Sequence, residues 1–204
     1  MMIIIDYGIG NPGSLQNMLN RIGENAIISS DRKEILAATR IVLPGVGTFD
    51  TGIKNLKSFG LIDTLNEAVL VRKIPVLGIC LGAQLMLNES EEGIEKGLCW
   101  VNGKVVKFSE KYSHVRDLHM GWNNLINVDS AALFNDMPEE PARFYFAHKY
   151  HFSFDEMNYI TSLCKYGYEF PSSFQKGNIY GVQFHPEKSH QFGIRLLKNF
   201  IAST

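Results

Sequence analysis

Pro75-Val76-Leu77-Gly78-Ile79-Cys80-Leu81-Gly82-Ala83-Gln84-Leu85 is the stretch that decides how this chain folds. Residues 74–79 form an apolar run of strand length. Leu81, Leu85 and Met86 then recur at helical spacing. Between them stands Gly-x-Cys-x-Gly, the cysteine form of a nucleophile elbow, in the strand–turn–helix context that motif requires. So tight a turn leaves room only for hydrogen at positions 78 and 82. It also lifts a sulfur out at the strand's carboxyl end, over unpaired N–H groups that favour thiolate. Most free cysteines are simply small buried hydrophobes. The two glycines and the strand-to-helix position favour a nucleophile instead.

Working outward, the 204 residues suit one α/β domain spanning 1–204. At 45% hydrophobic and 20% charged, with net charge −1, the chain has an ordinary globular composition. That balance argues against a nucleic-acid or anionic-membrane partner. No apolar run approaches the roughly 20 residues needed to span a bilayer. Residues 1–5 lack the basic flank of a signal peptide. Three widely spaced cysteines fit reduced thiols and a cytoplasmic location. Of these, Cys99 and Cys164 lie in apolar stretches and read as core.

The first half alternates strand and helix signals. Strands are expected at 2–5, 26–28 and 41–43. A helix follows the glycine turn 6–13, with Ser14 as its N-cap, and another starts at a capping box formed by Asp31 and Glu34. A third helix is expected around 62–71. Repeated βα units imply a mostly parallel sheet with helices on both faces, and ligands at the carboxyl ends of its strands. The glycine turn, the loop 44–47 and Cys80 all fall at that edge. The second half reads as an antiparallel extension, with strands at 98–108, 124–128, 144–154, 160–166 and 172–184. A hairpin turn is expected at 176–178 and a closing helix at 193–202.

A thiol nucleophile needs a base, and Gly181-Val182-Gln183-Phe184-His185-Pro186-Glu187 offers one. Glu187 can accept the imidazole N–H of His185 and stabilise the imidazolium once the thiol proton has moved. Alone, such a triplet is equally the end of a surface strand; the elbow gives it weight. Pro44-Gly45-Val46-Gly47 is a turn by itself, yet its N–H groups could face an oxyanion beside that of Leu81.

These three motifs, in this order, resemble the class I (triad) glutamine amidotransferases, a flavodoxin-like α/β fold. Asp6-Tyr7-Gly8-Ile9-Gly10-Asn11, His119-Met120-Gly121-Trp122-Asn123 and 181–189 narrow the resemblance across nearly the whole chain. They are similar to the glutaminase subunit of imidazole glycerol phosphate synthase, the HisH family. The resemblance implies hydrolysis of L-glutamine without cofactor or metal. Ammonia would pass to a HisF-type cyclase/synthase subunit in a heterodimer that serves histidine biosynthesis. It implies Cys80 as nucleophile, His185 as general base and acid, Glu187 as its orienter, and Val46, Gly47 and Leu81 as the oxyanion hole. Gly45, Gln84, Glu92, His148, Lys149 and Tyr150 would hold glutamine. Asn11, Met120, Trp122, Asn123, Tyr145 and Lys188 would face the partner, with 119–123 as an exposed docking turn.

Leu118 stands where the family usually has proline, Lys149 where it usually has serine, and His190 where a second serine is common. The stretches 91–97 and 165–170 look like a paralogous branch that feeds ammonia to an N-acetyl sugar amidotransferase of surface polysaccharide synthesis. A stand-alone cysteine hydrolase shares the elbow, but Gln84 and the distant His-Pro-Glu argue against it. A non-catalytic binding module would have no need of Cys80, His185 and Glu187 together.

Overall fold

The first strand shows how this sequence builds a sheet covered on both sides. In β1 (Met2–Ile5) every residue is buried, with Ile3 and Ile5 packed in one core and Met2 and Ile4 in the other. A strand without a polar face must have apolar layers above and below it. The computed structural model describes residues 1–108, 117–126, 128, 132–138 and 141–203.

β2 (Ala26–Ser29), β3 (Arg40–Leu43), β4 (Val76–Ile79) and β12 (Ile179–Val182) join β1 in the parallel order β2-β1-β3-β4-β12. The antiparallel strands β11 (Tyr168–Lys176), β10 (Ile160–Tyr166), β7 (His119–Ile126) and β8 (Arg143–His148) continue it into one nine-stranded sheet. α1 (Pro12–Arg21) and α6 (His190–Ala202) cover one face with Leu15, Leu19, Phe192, Leu196, Leu197 and Phe200. The other face is covered by α2 (Arg32–Leu36), α3 (Phe49–Ser58) and α4 (Ile62–Asn66), whose last turn widens into a π-helix over Glu67–Val71. No helix among the described residues is long and apolar enough to cross a membrane.

Several expectations need correction. The cap of α1 is Asn11, whose Oδ1 accepts the N–H of Ser14. Pro12 takes the first helical position, where its fixed φ and missing N–H cost nothing. Asp31 does cap α2, accepting from Lys33 and Glu34, but the box closes through a relay. Asp31 N–H donates to Ser29 Oγ, which donates to Glu34. The expected strand 98–108 narrows to β6 (Lys104–Lys107), because 98–101 is a loop bonded to the carbonyls of Leu85, Met86 and Leu87. Cys99 in that loop has φ +55° and turns outward, so it is exposed; Cys164 is core as expected. The segment 119–123 is no turn. It starts β7, paired with β8 from His119 opposite His148 to Asn124 opposite Arg143. The strand expected at 124–128 is the end of β7 at Ile126, and position 127 lies outside the described residues.

The apolar run 144–154 divides in two. β8 ends at His148, Lys149 turns the chain, and β9 (Tyr150–Ser153) enters a separate three-stranded sheet with β6 and β5 (Glu89–Ser90). That corner places residues 147–150 beside Cys80. The hairpin at Gly177 lies between β11 and β12 as expected.

Candidate active site

The elbow is built as its residue types require. Cys80 sits at φ +51° and ψ −111°, directly between β4 and a one-turn helix, α5 (Leu81–Gln84). A Cβ at Gly82 would lie 1.8 Å from the carbonyl oxygen of Leu43, and one at Gly78 2.6 Å from Cα of Ala83. The helix is shorter than its sequence implies, so what it offers the sulfur is local: first-turn N–H groups without intrahelical acceptors.

His185 follows β12, the parallel neighbour of β4, and its N–H bonds the carbonyl of Tyr145 on β8. Cys80 and His185 thus come from adjacent strands at the same carboxyl edge. His185 Nδ1 lies 2.8 Å from Glu187 Oε1, and the ring is almost fully buried. Burial works against the imidazolium. The hydrogen bonds to Cys80 and Glu187, with their charges, outweigh it and push the pKa up to about 10. The trio is therefore arranged to keep the imidazole protonated beside the sulfur. That is the arrangement for a nucleophile whose leaving group must be given a proton.

A cavity of about 300 Å³ opens in front of the sulfur. It is lined by Cys80, Leu81, Val46, Gly47 and Thr48 together with Gln84, Glu92, Leu118, Ala147, His148, Lys149 and Tyr150. Glu92 Oε2 accepts the N–H of Phe49 at the start of α3. Its loop is tied down by Asp50, whose carboxylate accepts from Glu95 and Ile94, and those N–H groups lower its pKa. Two expected glutamine contacts are already bonded within the protein. Gln84 Nε2 donates to the carbonyl of Tyr150 and to Gln183 Oε1, and both ring nitrogens of His148 are bonded internally.

Gly45 faces elsewhere. A Cβ there would meet the Tyr7 hydroxyl at 2.6 Å, while that hydroxyl donates to the carbonyl of Pro44 at 2.6 Å. Burial and the neighbouring Cys80 raise the Tyr7 pKa, so it stays a neutral donor. Gly45 instead lines a second cavity of about 210 Å³ with Gly10, Asn11, His185, Glu187 and Lys188. Val46 lines both cavities, so its loop is the wall between them.

The expected partner residues fall into two groups. Met120 and Trp122 project from one face of β7 and are 61% and 44% exposed. Trp122 stacks on His190 at 5.4 Å with 3° between planes, and Tyr145 meets it edge-on at 6.3 Å. Lys188 Nζ sits 5.6 Å over the Tyr145 ring, and Arg143 lies 5.8 Å from the Trp122 ring. Asn11 is exposed beside the second cavity. Asn123 belongs to the opposite face of the strand, with Nδ2 bonded to His119 and to the carbonyl of Lys165. The sequence reading missed Gln183, a fully buried amide whose Nε2 lies 3.7 Å from Cys80 Sγ. Its polarity directly after an apolar strand was the available signal.

The model of the glutamine amidotransferase class-I family matches residues 3–203. Subunit HisH 2 of imidazole glycerol phosphate synthase from Methanococcus maripaludis is 50% identical over 203 residues, covering 98% of each chain. Subunit HisH 1 from the same organism is 42% identical over 206 residues, again covering 98% of each. Among solved structures, PurLQS from Thermotoga maritima superposes with a TM-score of 0.74. The superposition covers 98% of this chain and 97% of that one at 15% identity, a likeness of fold. A match over nearly the whole length, with the elbow, histidine and glutamate assembled at one sheet edge, settles the family: the chain belongs to the class-I glutamine amidotransferases.

Proposed function

We propose that residues 1–204 act as one glutaminase domain, the HisH-type subunit of a two-protein synthase in the cytoplasm, and that Cys80, His185 and Glu187 carry the chemistry. The observation that supports this best is the Cys80–His185–Glu187 chain, whose Cys80 end lines a cavity sized for one amino acid. The Cys80 sulfur adds to the side-chain amide carbon of L-glutamine. Charge on the former carbonyl oxygen meets N–H groups of Leu81 and of the Val46–Gly47 loop. Collapse breaks the C–N bond, and His185 gives its proton to the departing ammonia. Water, deprotonated by His185, then adds to the thioester, releasing glutamate and restoring the thiol. Glu187 holds the ring and its charge throughout. Glu92, Lys149, Tyr150 and the wall formed by Gln84 and His148 receive the amino-acid end.

Ammonia is useful only if it reaches a partner before it is protonated in bulk water. The second cavity, behind the Val46 loop, reaches Asn11 and Lys188 beside the stacked Trp122 patch. The partner in this reading is the HisF-type cyclase of histidine biosynthesis, seated on Met120, Trp122, Tyr145 and Lys188. A second reading, a paralogue supplying a sugar amidotransferase, draws on one observation. The stretches 91–97 and 165–170 look like that branch. Both readings share the glutaminase step, and the synthase that co-purifies with the native chain separates them.

Cys80→Ala is the direct test. Glutamine hydrolysis, read as ammonia or glutamate release, is expected to fall by several orders of magnitude with the circular dichroism of the fold unchanged. Hydrolysis at near wild-type rate would sink the mechanism.

A further inference from the structure

A line of side-chain hydrogen bonds runs from β7 to the cavity, and its direction can be read from both ends. At one end the Asn123 amide is fixed by the backbone: its Oδ1 accepts the N–H of Asn124 at 2.8 Å, and its Nδ2 donates to the carbonyl of Lys165 at 2.9 Å. The same Nδ2 lies 3.1 Å from His119 Nε2, and an amide nitrogen can only donate, so that ring nitrogen carries no proton. At the other end His148 Nδ1 lies 2.8 Å from the Tyr150 carbonyl oxygen, which can only accept, so this nitrogen carries the proton. In neutral rings the middle link is then determined. His119 Nδ1–H donates to bare His148 Nε2 at 2.9 Å, and the two ends agree.

The surroundings hold the line in place. The His119 ring is stacked between Phe146 at 4.6 Å and Tyr166 at 4.3 Å, so its edges can point only along the line. Burial drives the His119 pKa down to about 4 and that of His148 well below its usual value, which keeps both rings neutral. Past His148 the connections reach the nucleophile. The Tyr150 carbonyl also accepts from Gln84, Gln84 bonds Gln183, and Gln183 Nε2 approaches Cys80 Sγ.

We infer that Asn123 and His119 are positioning residues. They fix the Nδ1–H tautomer of His148, and so hold the Tyr150–Gln84 wall of the cavity where it can receive the substrate. Neither touches that cavity, and the triad does not need them. With the donor from His119 gone, His148 can carry its proton on Nε2. Its bare Nδ1 then opposes the Tyr150 oxygen, lone pair against lone pair, and the wall shifts.

The inference rests on the glutaminase reading, and three substitutions in the whole protein test it. His119→Phe keeps the stacked ring but removes both hydrogen bonds, and Asn123→Leu removes only the first donor. His119→Gln retains one acceptor and one donor. In the first two, KM for glutamine is expected to rise about tenfold, the size of one lost buried hydrogen bond. Their kcat stays near that of the wild type, and His119→Gln recovers most of the lost affinity. The imidazole 15N spectrum of the wild type is expected to show both rings protonated at Nδ1, with a mixed tautomer at His148 in His119→Phe. Unchanged KM in both the Phe and Leu variants overturns the inference. So does His119→Gln no better than His119→Phe, or a wild-type His148 protonated at Nε2. A wild type that releases no glutamate overturns the glutaminase reading instead, and the 15N spectrum still decides the tautomers.

Discussion

Glu187 links the proposed chemistry to a pH response through its hydrogen bond to His185. His185 is raised from an ordinary value near 6.5 to about 10, so the native state binds a proton there that the unfolded chain releases above roughly pH 6.5. The associated stability is fully present below that pH and is lost as pH rises toward 10. Glu187→Gln removes the charge, so its His185 should titrate lower and its melting temperature should fall less between pH 7 and 10 than the wild type's. Melting curves at both pH values check this, and equal slopes for the two proteins would reject it. The same variant should keep measurable but much reduced glutaminase activity, since the ring loses orientation rather than its proton-carrying atom. At this scale the meeting of Cys80, His185 and Glu187 was legible, because each sits in a motif whose spacing dictates its neighbours. The tautomer line was not. Asn123 and His119 are four residues apart, but His148 is 29 residues from His119, and only strand pairing brings the two rings together.

Among the elements, the elbow and β7 differ in how far local sequence determines them. The strand, the two glycines and the cysteine leave the elbow one geometry. A methyl group at position 82 would overlap the Leu43 carbonyl at 1.8 Å, and that oxygen belongs to backbone held in the central sheet. Gly82→Ala is therefore expected to cost more than about 3 kcal/mol of stability, measured by urea denaturation, because the strand itself has to move. A midpoint near that of the wild type would mean that β3 and α5 can separate at little cost. β7 reads as a turn from sequence because Gly121-Trp122-Asn123-Asn124 is rich in turn-forming residues, whereas eight long-range pairs of backbone groups favour a strand once β8 and β10 flank it. The consequence is a rigid platform under Met120 and Trp122 in place of a flexible tip. Trp122→Ala should weaken synthase binding by about 2 kcal/mol or more in calorimetry. Glutamine-dependent synthesis should drop and ammonia-dependent synthesis persist. Normal binding and coupling would place the docking face elsewhere.

For the whole molecule, the chain opens with the parallel block and returns to it at the end, where β12 pairs with β4 and α6 packs beside α1. The βα repeats of the first half supply four of the five parallel strands, and their periodicity made that block readable. The second half was less so. Its apolar runs are long, and nothing in 98–108 or 144–154 announces that the chain leaves one sheet for another or runs as a loop against the backbone of 85–87. Long-range pairing decides those segments, and a single chain carries little record of it. α3 was likewise unread, since Gly52 interrupts its pattern; the glycine is there because Leu85 packs against it, where a Cβ would approach within 2.9 Å.

The corner at Lys149 has a further consequence for heat inactivation. One wall of the cavity hangs from the nine-stranded sheet, and the next belongs to a sheet of only two- and four-residue strands. Small cooperative units open at lower free energy than the body they are attached to. On slow heating, catalysis should disappear several degrees before the main unfolding transition, and amides of β5, β6 and β9 should exchange with deuterium ahead of those in β1, β3 and β4. The enzyme would then have two thermal thresholds, one for its pocket and one for its fold, with the first reversible on cooling.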